Sequence, residues 1–151
     1  MLEEKLEQDI KTALLAGDKQ TATTLRGLKS ALLYVKVAEG KRDSGLTDDE
    51  VITVLSKEAK KRQESADLYR QGGDEARAEA ELNEKKLIEN YLPAQLSEAE
   101  VAAAIDEIIA STGATDMKAM GQVIGATKVK LGATADGAII ARLVKEKLGG
   151  N

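Results

Sequence analysis

The chain has 151 residues, of which 42% are hydrophobic and 2% aromatic, and its formal net charge is −4. With no cysteine and no histidine, disulfides, cysteine-based zinc sites and thiol nucleophiles are excluded, and the commonest general base and metal ligand are missing. The acidic balance argues against generic nucleic-acid binding, so any basic surface has to be local.

The length suits one domain of ordinary size or two small ones. Lacking Phe and Trp, the core has to be built from Leu, Ile, Val, Ala and Met. The N-terminal MLEEKLEQD is acidic and has no long apolar run, unlike a secretory signal or an Arg-rich transit peptide. No apolar run reaches the length of a membrane span, and the expected location is the cytoplasm.

Leu2, Leu6, Ile10 and Ala13 recur at helical spacing over residues 2–16, and Gly17 follows as a stop. Asp18 is placed to cap a second helix carrying Leu25, Leu28, Leu32 and Val35 on one stripe. The run EGKRDSG, with Gly40 and Gly45, reads as a loop. Thr47 to Glu50, TDDE, is a capping box, with Asp48 and Asp49 at the positive end of the helix dipole.

The third helix, about 48–71, places Val51, Leu55, Ala59, Ala66 and Tyr69 on one face. Arg62 falls inside that stripe, which predicts a buried or interfacial ion pair. Lys57, Lys60 and Lys61 lie on the opposite side, with Glu64 and Leu68. Gly72-Gly73 ends the helix and Asp74 caps the next, which runs to about Leu92. Its expected inward stripe is Ala76, Ala80, Leu87 and Tyr91, with Ile88 beside it. The two helices are expected to form an antiparallel hairpin.

Pro93 marks a boundary, since proline disfavours helix at the residue before it. Beyond it the chain has fewer charges and glycine-punctuated helices. SEAE, Ser97 to Glu100, is a second capping box and opens a helix with Val101, Ile105, Ile108 and Ile109 on one face, ended by Gly113. A helix over about 116–131 gathers Met117, Met120, Gly121, Ile124 and Gly125 in one arc, with Lys128 at its tip. The spacing of Gly121 and Gly125 predicts close helix–helix packing. The last helix turns Ile139, Ile140, Leu143 and Val144 inward.

The runs KRQESADLYRQGGD, YLPAQLSEAE, MGQVIG and ADG…LVKEKL, in that order, resemble the YqeY family over nearly the whole chain. The C-terminal part of that family is similar to the tail domain of GatB, the B subunit of the glutamine-dependent tRNA amidotransferases. That likeness covers about Leu87 to Leu148. The resemblance implies an all-α fold: an N-terminal helical hairpin subdomain over 1–92, then a small GatB/YqeY-type helical bundle over 93–151. It also implies contact with tRNA through the tail-like half, because kinase and amidase chemistry in the amidotransferase belong to other parts of the enzyme. Any carbon–nitrogen ligase label with glutamine as amido donor would belong to a larger complex. The chain departs from the family pattern at Gln122, and at Ala133 and Thr134, where basic residues are common.

Two sets of cations are the candidate nucleic-acid contacts. Lys118, Lys128, Lys130, Arg142, Lys145 and Lys147 form the first, offset within 116–151 only by Asp116, Asp136 and Glu146. Lys57, Lys60 and Lys61 form the second, with Glu58 and Glu64 at pairing distance. The competing reading of both sets is a solvated helix face. No catalytic residue, cofactor site or metal site is expected. GATADGA lacks the Lys-Ser/Thr of a phosphate loop, and the acids around Asp48 are explained by capping. The three scattered tyrosines do not make a base-stacking platform.

The leading expectation is a non-catalytic helper that binds tRNA, or that serves a tRNA amidotransferase or aminoacyl-tRNA synthetase. The alternative is a protein–protein adapter that docks a partner on its charged hairpin without RNA.

Overall fold

The computed structural model describes residues 1–149, and their fold is all-α, with no strand among them. Among the described residues seven α-helices follow one another: α1 (Leu2–Leu15), α2 (Lys19–Ala38), α3 (Asp48–Gln71), α4 (Glu75–Glu89), α5 (Glu98–Thr112), α6 (Met120–Leu131) and α7 (Gly137–Leu148). Short 3-10 turns precede α6 and α7. None of these helices is long and apolar enough to cross a membrane. The chain divides into two compact units, Met1–Leu92 and Pro93–Asn151.

Local chemistry accounts for most helix starts. Asp18 accepts from the backbone N–H of Thr21 at 3.1 Å. Thr47 accepts from Glu50 N–H at 3.2 Å while the Glu50 carboxylate accepts from Thr47 N–H at 2.8 Å, so both halves of the capping box form. Ser97 and Glu100 do the same at the head of α5. Gly113 ends α5 in the left-handed region at φ +71°, a conformation that costs a residue with a Cβ.

In the first unit, Leu6 and Ile10 of α1 pack with Leu25, Leu28 and Leu32 of α2. Val51, Leu55 and Ala59 of α3, together with Ile88 and Tyr91, close the same core. Each fully buried Leu or Ile contributes about 1.5–3 kcal/mol by leaving water.

Helices α3 and α4 run antiparallel, as their cross-links record. Arg70 meets Glu75 beside the Gly72-Gly73 turn, and Gln63 accepts from Lys85 Nζ at 2.8 Å further along. Between them the half-buried Arg62 is ringed by Glu58 at 3.7 Å, Glu81 at 3.8 Å and Glu84 at 2.8 Å. Its Nε lies off the line that a hydrogen bond needs, so the contact with Glu84 is ionic.

The inward face of α4 differs from the one its hydropathy predicts. Ala76 and Ala80 are exposed, while Ala78 and Ile88 are fully buried. Glu81 and Lys85 are half-buried there, turned toward Arg62 and Gln63 of α3. The expected stripe therefore holds at its end, where Ile88 and Tyr91 are buried, and fails at Ala76 and Ala80.

The second unit has its own core. Val101, Ile105 and Ile108 of α5 meet Val123 of α6 and Ile140, Leu143, Val144 and Leu148 of α7. Thr127 is also fully buried, and its hydroxyl donates to the Val123 carbonyl at 2.8 Å. Gly121 and Gly125 are exposed, with nothing within 4 Å of where a Cβ would stand, so they do not mediate packing. The inward face of α6 is instead that of Val123 and Thr127, flanked by Met120 and Ile124, and at 100° per residue both glycines fall well outside it. Met117 lies in the 3-10 turn before the helix and is exposed.

Candidate nucleic-acid interface

Along the sequence, residues 116–151 hold six cations and three acids. In space that excess is offset by α5, which lies outside the counted window. Lys130 of α6 bonds Glu107, and the contact holds the Glu107 carboxyl below its usual range. Lys147 of α7 meets Asp106 at 2.7 Å. Arg142 bonds Glu98 and reaches Glu146 at 3.2 Å, and these hydrogen bonds raise the pKa of its guanidinium. Glu98, Asp106 and Glu107 thus bear on the site as much as the cations do. The acids of one helix have to be read against the lysines of two others to find them.

Lys118, Lys128 and Lys145 have no carboxylate partner among the described residues, and all three are exposed. The helical repeat explains the division. In both KVK (128–130) and KEK (145–147) the lysines are two positions apart, hence about 160° apart around the helix. The later lysine of each pair reaches an acid of α5. The earlier one projects from the far side of α6 or α7. Gly121 shares the edge of α6 that carries Lys128, about 20° away, with Gly125 next to it.

Lys128 also lies across the start of α7. Its Cε is 3.2 Å from the point a Cβ on Gly137 would occupy, so a side chain at position 137 would push it away. Lys118 sits at the head of α6, where Asp116 accepts from its backbone N–H at 3.0 Å.

The cations of α3 divide similarly. Lys61 is 3.2 Å from Glu58, whereas Lys57 and Lys60 are exposed without a carboxylate partner among the described residues. Tyr34 is 78% exposed on α2, while Tyr91 is buried. Tyr69 is half-buried, with Arg77 5.9 Å from its ring centre. Among the described residues no cluster of acidic side chains is arranged to hold a metal ion.

A family model described as "Yqey-like protein" matches residues 3–148. The Kluyveromyces lactis protein named "Altered inheritance of mitochondria protein 41, mitochondrial" is 32% identical over 115 residues, which make up 75% of this chain. The matched segment is 58% of that protein, so the chain spans little more than half of this relative's length. With the family model covering almost every residue, the chain belongs to the YqeY-like family.

Proposed function

We propose that the chain is a non-catalytic tRNA-handling protein that contacts RNA through the α6–α7 side of its second unit. The observation that carries this reading is the division of the lysines. Lys118, Lys128 and Lys145 are exposed and without a carboxylate partner among the described residues, whereas Lys130, Arg142 and Lys147 are held by acids. Beside the first three, Gly121 and Gly125 put no side chain in the way of an approaching phosphate backbone. The likeness of this half to the tail of the amidotransferase B subunit supplies the class of RNA. A tRNA amidotransferase or an aminoacyl-tRNA synthetase is the partner enzyme this reading implies. A glutamine-dependent carbon–nitrogen ligase activity would reside in such a complex, since the chain has neither thiol nor imidazole to start it.

The test is binding of total tRNA by the full chain at two salt concentrations. Three phosphate contacts give a log–log salt slope of about −2 to −3. The Lys118/Lys128/Lys145→Ala variant loses that binding, while Lys130/Arg142/Lys147→Ala retains most of it. No binding at low salt, or equal loss in both variants, overturns the assignment.

A further inference from the structure

The segment that leads into α5 is bonded to the turn between α6 and α7. Gln95 uses both hydrogens of its side-chain amide. Nε2 donates to the Pro93 carbonyl at 3.1 Å and, 38 residues along the chain, to the Ala133 carbonyl at 2.7 Å. Leu96 follows with its backbone N–H, which donates to the Thr134 carbonyl at 2.8 Å. The Leu96 side chain packs on the core of the second unit, to which the whole segment belongs.

The turn needs these partners. Gly132–Thr134 is a single 3-10 turn, too short to satisfy its own carbonyls. The Thr134 hydroxyl donates to the Leu131 carbonyl, and Gln95 and Leu96 supply the donors for Ala133 and Thr134. Just beyond the turn α7 starts at Gly137, and Lys128 lies across that start with its Cε 3.2 Å from the Cβ position of Gly137. The path of the turn therefore sets what Lys128 rests on. Lys118 stands at the head of α6 and Lys145 in the last turn of α7, both away from this turn.

We propose, on the tRNA reading, that Gln95 and Leu96 are positioning residues for the RNA surface, clamping the α6–α7 turn so that Lys128 keeps its place over the start of α7. Neither residue touches RNA in this scheme; they act through Lys128. Gln95 is exposed, so its hydrogen bonds can be removed while the core stays packed.

Gln95→Met keeps the length of the side chain and removes the donor. Amide hydrogen exchange followed by NMR on the full chain reads the clamp without RNA. The Leu96 N–H lies between helices, yet it is expected to exchange at least about tenfold more slowly than an open-chain amide. Gln95→Met speeds that exchange about threefold and leaves the amides of α1 to α4 as they were. A Leu96 amide that is unprotected in the unaltered chain, or unaffected by Gln95→Met, overturns the clamp.

Binding of total tRNA at low salt reads the consequence. Gln95→Met is expected to weaken it about threefold in the unaltered chain and in Lys118→Ala or Lys145→Ala, but to add nothing to Lys128→Ala. An equal loss on the Lys128→Ala background overturns the positioning role, since a general loss of stability acts on every background alike. No tRNA binding by the unaltered chain removes the positioning role together with the RNA reading, and the exchange data then decide the clamp alone.

Discussion

Tyr91, just beyond the end of α4, donates its hydroxyl to the carboxylate of Asp9 on α1, joining positions 82 residues apart. Lys5 completes the arrangement, 3.0 Å from the same carboxylate and 4.6 Å from the centre of the Tyr91 ring. The phenol is mostly buried and its partner is charged, so the bond is stronger than one between neutral groups.

Tyr91→Phe keeps the ring and removes the donor. Because the Asp9 side chain is 38% exposed, its carboxylate rehydrates once the phenol is gone. The expected loss is therefore at the low end for a charge-assisted bond, about 1 kcal/mol. Urea unfolding followed by far-ultraviolet circular dichroism measures it, and a loss above about 3 kcal/mol would mean that the ring itself has shifted.

The same pair sets both edges of a pH window. The Tyr91 hydrogen bond holds Asp9 below its usual range, and burial together with Asp9 pushes the Tyr91 phenol up. A lowered carboxyl favours folding above the unfolded value of about 3.9, and that contribution fades as pH falls through the folded value. A raised phenol favours folding below about 10, and its contribution fades as pH climbs through the folded value. Tyr91→Phe should remove the alkaline edge and soften the acid one. Unfolding free energies measured from pH 3 to 11 check this, and an unchanged alkaline limb would show that another group sets it.

Arg62 is the cation between three carboxylates, and replacing it leaves Glu58, Glu81 and Glu84 facing one another half-buried. Arg62→Met is expected to cost about 2–4 kcal/mol, most of it mutual repulsion rather than a lost bond. Adding Glu81→Gln and Glu84→Gln should then recover about half of that cost. A double-mutant cycle by thermal unfolding distinguishes this from a packing defect, which the glutamines would not repair.

Freeing the tied cations of the second unit should act opposite to removing the unpaired ones. Asp106→Asn and Glu107→Gln release Lys147 and Lys130 from α5. If tRNA contacts this unit, affinity at low salt rises and the salt slope steepens by up to about two charges. Filter binding across a salt series reads both, and an unchanged slope would mean these lysines do not face the RNA.

Gly121 and Gly125 sit in ordinary helical backbone with open space around them. Alanine at either position should stabilise α6 by about 0.5–1 kcal/mol. On the proposed RNA surface the same change places a methyl group between helix and phosphate, so affinity falls as stability rises. Melting temperature and tRNA affinity measured on the same variants test for that divergence.

Helix ends were the most legible part of the sequence, because caps are local chemistry. Thr47 with Glu50, Ser97 with Glu100, and Gly113 each signal a boundary through their own side chains or the lack of one. Phase was less legible. On α4 the half-buried positions beside Ala78 and Ile88 include Glu81 and Lys85, which only the facing Arg62 and Gln63 make intelligible. On α6 the inward face is centred on Val123 and Thr127, and a buried threonine is what an apolar count passes over, so the two glycines expected in the core lie at the surface. The candidate site was half legible. The lysines stand out in the sequence, but which of them are engaged depends on acids of a helix more than ten residues upstream.

The composition of the two cores has an optical consequence. Tyr34, Tyr69 and Tyr91 are the protein's only strong near-ultraviolet chromophores, since it has neither Trp nor Phe, and all three belong to the first unit. Intrinsic emission therefore reports on Met1–Leu92 alone, with the Tyr91 signal shaped by the carboxylate beside it and the Tyr34 signal by water. The second unit is dark, so a single tryptophan placed in it would light that half without a competing signal at its own wavelength.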